Sequence, residues 1–264
     1  MIRLYHYRNN IWTVCVRLVL AEKGLEYEMV HVDLFAGEHL KPEFLALNPY
    51  HKVPLLLDGA TAVPESWIIN EYLEDRYPSP SLMPRDPQER AHARVIVDYA
   101  NRFFFPHVYD LLLELIVKPR FPAMGEPVPS AVTKAKEGLP AAFERLEREL
   151  DDRDFFASDF SIVDCEMIPF VAGLSDVDIA IPEKFGNLRR WLKRVSGRPS
   201  YRAAEVDSRI RTICPSSSAG TGSGPRSAPS PASSRRPGAS RTAPATTWGR
   251  GIGRRRCRRG RPCS

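Results

Sequence analysis

The sequence predicts an α/β half followed by an all-helical half, that is, a βαβαββα unit joined to a helical bundle. Three observations predict it. A strand–helix–strand pattern fills residues 2–34, and a Val53-Pro54 turn leads into a hairpin and a helix. Beyond the Pro- and Ser-rich segment 79–87, apolar residues recur at helical spacing as far as about residue 210.

Ile2 to Tyr7 reads as a strand, Thr13 to Lys23 as a helix stopped by Gly24, and Tyr27 to Leu34 as a second strand. Two strands joined by a helix form a βαβ unit, so they should run parallel. A short helix, Pro42 to Leu47, precedes the turn. Leu55 to Leu57 then makes a buried strand, Asp58-Gly59 signals a tight hairpin, and Thr61 to Val63 returns. Ser66 opens a helix whose Ile68, Ile69, Tyr72 and Leu73 fall at helical spacing, and Pro78 closes it. The result is a four-stranded mixed sheet with helices on both faces.

Two features of this half point to a ligand. A Pro in front of a pairing strand gives no ladder hydrogen bond, and a cis Val53-Pro54 bond would turn the Val53 N–H and C=O toward a peptide-like ligand. At the helix start, the Ser66 hydroxyl and free backbone N–H groups suit a carboxylate, and Glu65 can take an ammonium. The competing role for Ser66 is a plain helix cap.

The α/β half spans residues 1–78, the linker 79–87 and the helical half 88–213. Gln88 to Lys118 predicts one long helix kinked at Pro106, with Val95, Val97, Tyr99, Phe103, Leu111, Leu112 and Leu115 on its buried side. Within Phe103-Phe104-Phe105 at least one ring belongs in the core, the others facing a cleft or a second subunit. Pro119 to Pro129 is a loop, and Ala131 to Leu150 is a helix with Leu139, Phe143, Leu146 and Leu150 inward. Ser161 and Asp164, three apart before the apolar run Ile168 to Leu174, form a capping box, which makes Asp164 a structural residue and not a catalytic acid. Leu188 to Val195, with Trp191 inward and Gly197 as its stop, and then Ser200 to about Ile210, complete the bundle.

From 214 the composition changes to Ser, Pro, Gly, Ala, Thr and Arg, so residues 214–264 should form a disordered tail. Residues 215–264 hold eleven Arg and no Lys, Asp or Glu, so the whole-chain charge of +6 leaves −5 on residues 1–214. That balance argues against a nucleic-acid footprint on the folded part. The clusters Arg254-Arg255-Arg256 and Arg258-Arg259 suit RNA, anionic membrane or acidic proteins. The same acid-free composition is what a shifted reading frame in GC-rich DNA yields, so no nucleic-acid partner is expected from it. Five cysteines, an odd number without a paired framework or metal spacing, fit a reducing compartment, and no metal is expected. The chain enters its first strand at once, and its most apolar run, Leu111 to Val117, is interrupted by Glu114. Neither a signal peptide nor a membrane span is expected, which places the protein in the cytoplasm.

Val53-Pro54, a hairpin, and Glu65-Ser66 at a helix start resemble the thioredoxin-like half of the glutathione S-transferase superfamily. The resemblance implies that glutathione is the ligand or co-substrate, held by Lys52, Val53, Pro54, Glu65 and Ser66. In that family the residue before the cis-Pro pairs with the cysteinyl backbone, and the Glu-Ser pair holds the γ-glutamyl end. It also implies conjugation to a small electrophile, a homodimer, and a capping box, here Ser161 and Asp164, that governs folding.

The family places a Ser, Cys or Tyr at the start of the first helix to stabilise the glutathione thiolate. In Tyr7-Arg8-Asn9-Asn10-Ile11-Trp12-Thr13 that position falls on Asn10, whose amide can donate to a thiolate but cannot act as a nucleophile. Asn10 reads equally as an N-cap. Thr13 is a second candidate donor, Tyr5 and Tyr7 are weaker ones, and Cys15 reads as packed. Asn10-Ile11-Trp12-Thr13, Val16 to Gly24, Glu71-Tyr72-Leu73, Leu82-Met83-Pro84 and Phe160 to Cys165 resemble the stringent starvation protein A-like subgroup. That subgroup keeps the fold and binds RNA polymerase. Its Pro-His-Pro motif would fall at Pro78-Ser79-Pro80, where Ser79 replaces the His.

Overall fold

The computed structural model describes residues 1–8 and 10–208. The expected tail, with its Arg clusters, lies outside the described residues. The first half runs β1 (Ile2–His6), α1 (Ile11–Glu22), β2 (Tyr27–His31), α2 (Pro42–Leu45), β3 (Leu55–Asp58), β4 (Thr61–Pro64) and α3 (Ser66–Arg76). The sheet order is β2-β1-β3-β4, with β1 and β2 parallel and the other pairs antiparallel. Leu55 faces Pro64 and Asp58 faces Thr61, which puts Gly59 and Ala60 in the turn, one residue beyond the expected pair. Gly59 supplies the left-handed φ of +59° that such a turn needs. Pro64 is tolerated because β4 is an edge strand.

Val14, Cys15, Val16, Leu18, Val19 and Leu20 of α1 are all buried, so this helix is apolar around most of its circumference. Such a helix must be covered on several sides. The sheet half supplies α3 and the helical half supplies α8 (Ile162–Gly173), making α1 the axis on which the halves meet. Lys23 at its end donates to Glu74 (2.8 Å), to the Tyr77 carbonyl (2.8 Å) and to the Pro80 carbonyl (2.9 Å), while Glu74 also accepts from Ser81 and from the Leu82 N–H. This buried ion pair, with its partners satisfied, fastens the linker.

The helical half runs α4 (Pro87–Phe103), α5 (Phe105–Leu112), a π turn (Leu113–Val117), α6 (Lys118–Arg120), α7 (Pro129–Leu150), α8 (Ile162–Gly173), α9 (Gly186–Ser196) and α10 (Pro199–Ala203). The single long helix expected over 88–118 is therefore corrected to two. The break falls at Phe104 rather than Pro106, which sits in the first turn of α5, where a missing N–H costs nothing. The break turns Phe104 and Phe105 into the core and leaves Phe103 exposed. The buried face of α4 is corrected in part: Val97 is buried as expected, together with Ala93, Ile96 and Ala100, whereas Val95 and Phe103 face out. Leu115, expected inside, is partly exposed. The loop expected over 119–129 holds part of α6 and a 3₁₀ turn at Pro122–Met124.

At the start of α8, Asp164 accepts from the Ser161 N–H (2.9 Å), the Ser161 hydroxyl (3.1 Å), the Phe156 N–H (3.2 Å) and Trp191 Nε1 (2.8 Å). The capping box is complete and buried. Burial pushes the Asp164 carboxyl up to about 6 against the pull of these donors. No helix among the described residues is long and apolar enough to cross a membrane.

Candidate functional site

A cleft of about 420 Å³ opens where the starts of α1 and α3 approach the turn before β3. Asn10 lines it from the start of α1, and Lys52, Val53 and Pro54 from the turn. Glu65 and Ser66 line it from the start of α3. Six of the seven residues expected at the site therefore share one cleft. Thr13 does not. It is buried, and both its N–H (3.0 Å) and its hydroxyl (3.3 Å) reach Asn10 Oδ1. Thr13 thus meets the cleft only through its hydrogen bonds to Asn10.

Local sequence builds each wall. The Val53-Pro54 peptide is cis. Buried Asn48 shapes the loop before it, accepting from the Tyr50 N–H (3.0 Å) and donating to the Lys52 carbonyl (2.8 Å). Glu65 stands at φ +67°, a conformation that costs a non-glycine residue about 1–3 kcal/mol. This bend brings the chain from β4 into α3 with Ser66 at the mouth. Glu65 occupies the N-cap of α3, but its side chain makes no capping hydrogen bond. The first N–H groups of α3, which a helix cannot satisfy internally, are left for whatever occupies the cleft. Asn10 is an N-cap as well. Its oxygen is engaged by Thr13, so its amide NH₂ is the donor left for the cleft.

Residues outside the expected set complete the walls. His39 and His51 join Lys52 on one side, with ring centroids 6.5 Å apart, and the buried Nδ1 of His39 has no hydrogen-bond partner among the described residues. Asp33 and Glu38 hold the loop that carries His39: Glu38 accepts from the Asp33 N–H (2.8 Å), and Asp33 accepts from the Phe35 and Ala36 N–H groups. The signal in the sequence was the cation-rich spacing of His39, Lys41, His51 and Lys52 around the turn. Opposite, Trp12 packs against Tyr109 (5.0 Å) and Phe170 (5.6 Å), giving an aromatic wall. Burial, with Asp110 nearby, raises the pKa of Tyr109, so its hydroxyl keeps its proton. Tyr5 and Tyr7 do not line the cleft: Tyr5 packs on Phe44, and Tyr7 on His31 and Phe35. Cys15 is buried, with its thiol directed at the Ile11 and Glu166 carbonyls.

A cleft lined by Lys52, two histidines, Glu65, the start of a helix and the aromatic rings of Trp12 and Tyr109 suits a small zwitterionic peptide with carboxylate ends and an apolar partner for it. The family model "Glutathione S-transferase, N-terminal domain" matches residues 1–75, and "Glutathione S-transferase, C-terminal domain" matches 104–199. Glutathione S-transferase 3 of Zea mays is 31% identical over 193 residues, covering 71% of this chain and 86% of the relative. A stringent starvation protein A homolog of Coxiella burnetii is 28% identical over 214 residues, covering 80% and 95%. Among solved structures, a glutathione S-transferase from Rhodospirillum rubrum F11 superposes with a TM-score of 0.69 at 28% identity, covering 77% of this chain and 91% of that one. Sheet order, helical half and sequence kinship agree, and the chain belongs to the glutathione S-transferase family.

Proposed function

We propose that the cleft binds glutathione and that the chain transfers its thiol to a small electrophile. The observation that carries this reading is the uncapped start of α3, with Ser66 and the strained Glu65 at the cleft. The γ-glutamyl carboxylate meets the Ser66 hydroxyl and the first N–H groups of α3, and its ammonium meets Glu65. The Val53 backbone pairs with the cysteinyl unit. The Lys52 ammonium and the imidazole N–H groups of His39 and His51 receive the glycine carboxylate. The sulfur then lies at Asn10, whose NH₂ stabilises the thiolate. The thiol proton passes to water, since Asn10 has no basic group. The thiolate forms a bond to the electrophilic carbon while the leaving group departs with its electron pair, and Trp12 and Tyr109 hold the apolar body of the electrophile.

Conjugation of a dinitrophenyl halide tests this reading. The wild-type chain should exceed the uncatalysed rate, and Ser66→Ala should lose most of that excess. A rate equal to the blank, together with no retention on immobilised glutathione, would refute it.

A homodimer is part of the proposal. Ile68 of α3 and Val95 and Phe103 of α4 are more than half exposed, on helices tied together by a two-pronged Arg94–Glu71 ion pair (2.8 Å each). Phe103→Glu should convert a dimer into a monomer in sedimentation. The cytoplasm remains the proposed location, supported by the buried thiols of Cys15 and Cys165, which form no disulfide. The similarity to stringent starvation protein A homologs supports a second reading, a non-catalytic RNA polymerase partner using the linker 78–84, which Lys23 and Glu74 hold rigid. Co-purification of polymerase by a chain without transferase activity would favour it.

A further inference from the structure

Glu166, in the second turn of α8, is 1% exposed, and its carboxyl lies against the first turns of α3. Asn70 Nδ2 donates to Oε1 at 2.5 Å, Cys15 Sγ points at the Glu166 backbone carbonyl (3.7 Å), and the Ser66 and Cys15 side chains both favour the ionised carboxyl. Ser66 and Asn70 are four residues apart on α3 and so share one face. The Asn70 carboxamide oxygen is fully buried and has no hydrogen-bond partner among the described residues. A buried carboxyl of the helical half is thus bonded to Asn70, one helical turn on from Ser66, whose residue lines the cleft.

We propose that Glu166 is a positioning residue for Ser66, and that a ligand carboxylate at the start of α3 binds together with a proton taken up by the Glu166 carboxyl. This rests on the glutathione reading above. A hydroxyl carries one proton. When Glu166 is ionised it accepts that proton's hydrogen bond, leaving Ser66 only lone pairs to present to an incoming carboxylate. Two negative charges then face one helix start. When Glu166 is protonated it becomes a donor, to Ser66 Oγ or to the orphaned Asn70 oxygen once that amide turns over. Ser66 can then donate to the ligand. Hydrogen-bond arithmetic and charge repulsion point the same way.

Burial raises the Glu166 carboxyl to about 7 against the pull of Asn70, Cys15 and Ser66, so both states lie near neutral pH. The titratable groups around it are few. Cys15 faces it from α1, while its own helix brings Asp164 and Cys165, the latter also under the influence of Glu22 and Arg198. From α9, Trp191 is engaged by Asp164. The buried face of α4 is Ala93, Ile96, Val97 and Ala100, and α5 stacks Phe105 on Phe170 at 3.7 Å. The cleft is itself lined by the ionisable side chains His39, His51, Lys52, Glu65 and Tyr109, so the pH effect must be assigned by substitution.

Calorimetric titration of the full chain with glutathione, in buffers of different ionisation heat, counts the protons. The wild type should take up a fraction of a proton at pH 7, and its affinity should weaken roughly five- to tenfold from pH 6 to pH 8. Glu166→Gln, which keeps the shape and can donate to Ser66, should lose that uptake and flatten the profile near the tighter limit. Equal uptake in both proteins would overturn this proposal and leave the glutathione reading standing, whereas no binding heat at any pH would overturn both. Should the variant fail to fold, infrared difference spectra of the wild type decide. Glutathione at pH 7 should strengthen the protonated-carboxyl band, and an unchanged band would refute the proposal.

Discussion

The starts of α3 and α8 use the same residue types for opposite ends. Each has a Ser beside an acid at a helix N-terminus, where several N–H groups lack partners in the helix itself. At α8 the acid follows the Ser by three residues, and Asp164 closes back on Ser161, Phe156 and Trp191, so the polar groups are consumed internally and buried. At α3 the acid precedes the Ser. Glu65 sits at φ +67°, leaves the helix uncapped and opens it to the cleft. The order of the two residues goes with a helix start closed on itself at α8 and one that opens on the cleft at α3.

The largest expected effect belongs to the closed start. Asp164→Ala strands the Trp191 and Phe156 donors and should cost about 3 kcal/mol or more, read from urea unfolding. A loss under about 1 kcal/mol would show that the capping box is dispensable.

Next comes the carboxyl behind the open start. Glu166 has a usual value near 4.5 and is raised to about 7 in the fold. Between those values the folded state holds a proton that the unfolded state has released. Its stabilising contribution is therefore full below about pH 4.5 and lost as pH rises through 7. Glu166→Gln should accordingly gain on the wild type as pH goes from 5 to 8, on the order of 2 kcal/mol, in thermal unfolding followed at both pH values. An unchanged difference would show that burial does not hold the proton there.

The smallest effect concerns the start of α1. Asn10→Ala removes the oxygen that accepts from Thr13 and should cost about 1 kcal/mol, with slower conjugation. Asn10→Ser keeps a cap and adds a hydroxyl, so its stability should match the wild type while its turnover rises. Equal turnover in all three would remove Asn10 from the chemistry.

Much of this contrast was legible in the sequence because it rests on local signals. Ser161 and Asp164 at the spacing of a capping box, and Val53-Pro54 followed by a hairpin and Glu65-Ser66, are short-range patterns with fixed physical meaning. The α4 face was legible only in part. Val95, Tyr99 and Phe103 form an apolar stripe as regular as Ala93, Ile96, Val97 and Ala100, so periodicity alone could place Val97 but not choose between the two stripes. The break at Phe104 escaped for the same reason, since two rings enter the core only if the helix restarts. His39, Tyr109 and Glu166 come to the site from distant segments, and their roles need a fold to bring them together.

Glutathione titrated into the wild type, Ser66→Ala and Ser161→Ala tests the central contrast most directly. The expected result is one site per wild-type chain, affinity about tenfold weaker in Ser66→Ala for the loss of a charge-assisted hydrogen bond, and unchanged affinity in folded Ser161→Ala. Equal affinity in Ser66→Ala and the wild type, or no binding to the wild type, would contradict the account.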